Sequence, residues 1–143
     1  MDHLYDDKCK ISLFSLDMSA YKILAKLLST YIFESYEVRL SLKQLLSVQK
    51  GFILNDECYA IVKECIPWLK RVESILTIYD KSATAKSIYS NILKELEERG
   101  RFEETDKRKI YYPNDPDLVH LVIIDHLARV FCSPGNTLKQ EMD

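Results

Sequence analysis

The chain has 143 residues, 47% hydrophobic and 29% charged, enough apolar material for one core and too much for a disordered segment. Lys and Arg number 20 against 22 Asp and Glu, and the resulting net charge of −2 excludes a field able to hold polyphosphate. No apolar run reaches the roughly 18 residues of a membrane helix, and residues 1–10 lack the apolar stretch of a signal peptide, so the expectation is a soluble, intracellular chain.

Residues 10–16 are the one strand candidate, and the sequence shows them no partner. Leu16, Ala20, Ile23, Leu24, Leu27, Leu28, Tyr31 and Ile32 follow the i, i+3, i+4, i+7 spacing of a first helix, capped by Asp17 or Ser19. A second helix is expected over 37–49, with Val38, Leu42, Leu45 and Val48 inward and Gly51 ending it. Asn55 or Asp56 caps a third through Tyr59, Ile61, Val62 and Cys65. Pro67 lacks an amide hydrogen and opens a fourth over 67–76, which presents Trp68, Leu69, Val72 and Ile75. A fifth starts at Asp80 or Ser82, carries Ala85, Ile88, Tyr89, Ile92, Leu93 and Leu96, and stops at Gly100.

Residues 101–115 read as a polar connector. Beyond Pro113 and Pro116 a final helix is expected over 117–132, apolar around more than half its circumference. The fold class expected is therefore all-α. It is a single domain of residues 1–143, with five helices over 23–99 and an extra C-terminal helix.

Catalytic chemistry finds no constellation. His3 lies near the start, and His120 and His126 on one helix would project roughly 120° apart, too far to share a metal. Cys9, Cys58, Cys65 and Cys132 form no CxxC pair and read as small hydrophobes with reduced thiols. Lys107, Arg108 and Lys109 precede Tyr111 and Tyr112, yet Glu103, Glu104 and Asp106 beside them mark a solvated connector rather than a nucleic-acid surface. No catalytic residue, metal or cofactor is expected. Apolar residues instead occupy two inter-helix connections: Phe33 with Tyr36, and Ile75 with Leu76 and Ile78.

The segment 23–96 resembles the five-helix family typified by the N-terminal domain of transcription elongation factor TFIIS, in particular its integrase-binding-domain variant. Ile23, Leu27 and Tyr31 carry the likeness, followed by Phe33-Glu34 leading to Glu37-Val38, then Leu42, Leu45 and Val48. Leu69-Lys70-Arg71-Val72, Ile75 and Tyr89 complete it. The resemblance implies a compact right-handed bundle that recruits nuclear partners through short acidic peptides with an apolar anchor. It implies further that Phe33 and Ile75 form the pocket, that Glu34 accepts a hydrogen bond from the ligand backbone, and that Lys70 and Arg71 make a basic rim. Glu73 and Ser74 stand where relatives are more basic, and the helix over 117–132 has no counterpart.

The functional expectation is a non-enzymatic protein-interaction module, a transcription-associated adaptor that is nuclear rather than cytoplasmic, with no membrane or direct nucleic-acid partner. One alternative is the groove-binding fold of apoptosis regulators, including viral versions, which grips an amphipathic partner helix. Another is a homodimeric structural subunit, its isologous seam formed by Val119, Val122, Ile123, His126 and Val130 on the last helix.

Overall fold

The computed structural model describes residues 8–47, 51, 53–81, 83–106, 108–125 and 130. In chain order the elements are β1 (Cys9–Ser15), α1 (Ala20–Tyr36), α2 (Leu42–Leu45), α3 (Asp56–Glu64), α4 (Ile66–Ile75) and β2 (Leu76–Tyr79). They continue with α5 (Ala85–Arg99), β3 (Gly100–Thr105), β4 (Arg108–Pro113) and β5 (Val119–Asp125). The chain is thus mixed α/β, and the all-α expectation is wrong. It divides into two units: a helical one, Met18–Leu76, and a sheet unit made of Met1–Asp17 with Thr77–Asp143.

In the helical unit, α1 buries Leu28 and Ile32 as the spacing implies, but it also buries Ala25, which lay outside that stripe, and leaves Leu27 exposed. Ser19 is its N-cap residue but makes no side-chain cap hydrogen bond. At the other end Glu37 takes the left-handed conformation (φ 57°), and its amide donates to the Phe33 carbonyl. The second helix is far shorter than expected. Residues 38–40 have no regular secondary structure, and among the described residues of that span only Leu42–Leu45 is helical, because Ser41 and Gln44 form a capping box that starts the helix there. The Asn55 side chain accepts from the Cys58 amide to start α3. Pro67 then stands in the first turn of α4, where its missing hydrogen costs nothing. Leu28, Ile32, Leu40 and Cys65 form the core, and Tyr31 and Trp68 stack beside it at 4.2 Å between centroids. Burial pushes the Cys65 thiol above its ordinary value.

The sheet unit corrects the reading of the C-terminal third. Residues 119–125 form β5, not a helix, and they pair in parallel with β1 from Cys9 opposite Val119 to Ser15 opposite Asp125. The strand candidate at 10–16 finds its partner there. Leu121, Val122, Ile123 and Ile124 are consecutive apolar residues of the kind a parallel strand carries, and β-branched Val119, Val122, Ile123 and Ile124 favour the extended backbone. The three-stranded sheet has the order β2-β1-β5. The apolar junction at Leu76 and Ile78 is strand β2.

The fifth helix of the supposed bundle belongs to this unit. Helix α5, capped by Thr84 rather than Asp80 or Ser82, sets Ile88 and Ile92 in a cluster with Phe14, Tyr79, Val122 and Val130. A single five-helix bundle is therefore not what the chain forms. The connector at 101–115 is an antiparallel hairpin, with Phe102 opposite Tyr111.

Candidate functional site

Among the described residues two constellations stand out for their polar chemistry, one in each unit. In the sheet unit, strand alternation turns Ser12, Phe14, His120 and Val122 toward α5, while Glu95 and Arg99 continue the inward stripe of Ile88 and Ile92. Four elements consequently converge on the Glu95 carboxylate. The Ser12 hydroxyl donates to Oε2, and the Tyr79 phenol donates to Oε1 at 2.7 Å. His120 Nε2 stands 3.0 Å from Oε2 and 2.7 Å from Ser12 Oγ, so a proton on that nitrogen serves both oxygens. The Arg99 guanidinium lies 3.9 Å from Oε2.

Burial would push the Glu95 carboxyl up, but hydrogen bonds from Ser12 and Tyr79 and the charges of His120 and Arg99 outweigh it. The group sits below its ordinary value. Tyr79 is pushed up to about 12, by burial first and then by its hydrogen bond to Glu95. A serine, a histidine and a carboxylate meet here, but not as a nucleophile and its base. Ser12 gives its proton to Glu95 rather than to His120, and at 1% exposure its oxygen offers no approach to a substrate. The cluster ties three strands to one helix. Among the described residues no group of three His, Cys, Asp or Glu could hold a metal.

The second constellation is open to solvent and lies within the helical unit. Where α1 ends, the left-handed turn at Glu37 folds the chain back along the helix, and residues 38–40 follow without regular secondary structure. The Ser29 hydroxyl donates to the Leu40 carbonyl at 2.6 Å, while the Leu40 side chain is buried, so the strap is pinned to α1. Ser41 and Gln44 close the far end by their reciprocal hydrogen bonds. These residues, with Thr30, Phe33 and Arg39, line a shallow cleft of about 500 Å³. Its apolar wall is Phe33, 44% exposed, and the Arg39 guanidinium carbon stands 5.2 Å from that ring's centroid. Among the described residues Arg39 supplies the lining's one charge.

Of the residues singled out in the sequence, Phe33 lines this cleft. Glu34 is exposed on the last turn of α1 but is not part of the lining. Ile75 is buried at the end of α4 and does not share a pocket surface with Phe33. Lys70 and Arg71 are exposed on α4, away from the lining. The supposed helical seam is not one face. Val119 and Ile123 lie on the outward side of the sheet with Leu121, Val122 points the other way into the core, Val130 is buried, and His126 lies outside the described residues.

Sequence reasoning missed Arg39, Ser41 and Gln44, since a helix over 37–49 would have spread them around a cylinder, and it missed Ser29 on α1, whose partner Leu40 is brought to it only by the turn at Glu37. It also missed Glu95, although a charged residue at i+7 from Ile88 and i+3 from Ile92 is a readable signal of a buried carboxylate. Compared with known proteins, the chain matches no family model, no curated protein and no solved structure.

Proposed function

We propose that the chain is a non-enzymatic interaction module that seats a short linear peptide in the cleft between α1 and the 38–41 strap. The peptide would lay an apolar side chain on Phe33 and present a neighbouring acidic group to Arg39. The observation that carries this reading is the pairing of a half-exposed aromatic ring with the Arg39 guanidinium in a pinned, hydroxyl-lined cleft. Apolar anchors supply most of the affinity in such contacts and charge supplies selection. The cleft occupies the first inter-helix connection, the region that the resemblance to TFIIS-type domains implicates in ligand binding. On that resemblance the module is a nuclear, transcription-associated adaptor.

The test is selection of phage-displayed random peptides on the wild-type chain, followed by amide chemical-shift mapping with one selected synthetic peptide. Shifts are expected at Thr30, Phe33, Leu40 and Gln44. Phe33→Ala should weaken that peptide at least about tenfold, roughly 1.4 kcal/mol, with unchanged far-ultraviolet circular dichroism. Shifts confined to other surfaces, or undiminished binding by Phe33→Ala, would remove the reading.

A further inference from the structure

We infer that Arg39 is a displaceable cap on the Phe33 ring, and that this cap makes the cleft selective for ligands that give the guanidinium an anionic partner as they take its place. The inference rests on the reading of the cleft as a peptide site and concerns how that site is regulated.

Three observations carry it. The backbone bearing Arg39 is fixed on both sides, by the left-handed turn at Glu37 and by buried Leu40, whose carbonyl accepts from Ser29. Only the side chain of Arg39 is therefore free to change place. Its position over Phe33 occupies a ring face that an incoming apolar group needs. Among the described residues no carboxylate forms an ion pair with Arg39, so the aromatic ring is its recorded partner. A cation–π contact at an exposed site is worth little, whereas a guanidinium paired with a carboxylate or phosphate gains two parallel, charge-assisted hydrogen bonds. A ligand with an acid beside its apolar anchor exchanges the weaker contact for the stronger. One without an acid must displace the cap and gain nothing for it.

The cap is first read in the free protein. Stacked on Phe33, the Arg39 Nε proton should resonate upfield, and Phe33→Leu should return it to the ordinary position. An unshifted proton in the wild type would overturn the inference directly. Three synthetic peptides with one phenylalanine, flanked by aspartates, by phosphoserines or by alanines, are then titrated into the wild type and Arg39→Met. The expected result is a crossover. Arg39→Met should bind the alanine-flanked peptide about two- to fivefold tighter, the worth of the lost cap. It should bind both anionic peptides more weakly, and their ratio tells a carboxylate site from a phosphate site. If Arg39→Met weakens the anionic peptides and leaves the neutral one unchanged, Arg39 attracts ligands without capping the ring, and the inference fails while the peptide site stands. If Phe33→Ala changes no titration, the peptide site itself is wrong and the cap has no ligand to select.

Discussion

Glu95 shows how one buried carboxylate can organise a unit. It is 6% exposed, yet its oxygens take hydrogen bonds from Ser12 and Tyr79 and face His120 and Arg99. Both pH limits of the sheet unit follow. Because the folded carboxyl lies below its ordinary value, its contribution is complete above that value and is lost as pH falls through the folded one. Tyr79 has the opposite sign: its contribution is complete below the ordinary phenol range and is lost as pH rises toward about 12. Urea midpoints measured across pH should therefore fall below about pH 4 and above about pH 10. Glu95→Gln should flatten the acid limb and Tyr79→Phe the alkaline one, each at a cost of about 1–3 kcal/mol at neutral pH for partners left unpaired. Identical limbs in wild type and variants would show that these groups do not govern the pH dependence.

At the scale of elements, the hairpin of β3 and β4 depends on a close approach at its base. Gly100 is extended (φ −175°), so its conformation asks nothing special of glycine. Space does. A Cβ there would come within 2.6 Å of the Tyr111 ring and would also collide with the Tyr112 carbonyl, which is backbone and cannot turn aside. Gly100→Ala should cost about 1–3 kcal/mol through overpacking and speed amide exchange across Gly100–Thr105 and Arg108–Pro113. Unchanged exchange in both strands would mean that the hairpin shifts to accept the methyl group. Some helix boundaries were readable, since they depend on neighbours in sequence, although α2 and α5 start at Ser41 and Thr84 rather than where expected. Asn55, Pro67, Ser19 and Gly100 all mark the boundaries that the residues indicated.

The whole molecule is a helical unit inserted between the two chain segments of a sheet unit. Each has its own core, Ile32 fully buried in one and Phe14 in the other. Ile32→Ala should cost about 2–5 kcal/mol and Phe14→Ala about 3–5 kcal/mol. In hydrogen exchange the first should loosen α1 and α3 before β1 and β5, and the second should do the reverse. Equal loosening everywhere under either substitution would show one cooperative unit instead of two. The parallel partners β1 and β5 are separated by about 110 residues, so closing that loop makes the sheet a slow step in folding.

By itself the sequence determined what local chemistry controls: the first helix, the Asn55 cap, the proline break and the stop before Gly100, while 10–16 stood only as a strand candidate without a partner. Each depends on contacts within a turn or two, or on a residue's own backbone preferences. Tertiary structure decided the rest. Residues 119–125 carry an apolar run that suits a buried helix or a parallel strand equally well, and only pairing with β1 chooses between them. The same pairing drew α5 into the sheet unit, because its stripe of Ile88, Ile92 and Glu95 meets the apolar and polar side chains that β1 and β5 turn inward together. The cleft was hidden for a like reason. Arg39 reaches Phe33 only because Glu37 takes a left-handed turn and Ser29 pins the strap, contacts that no periodicity records.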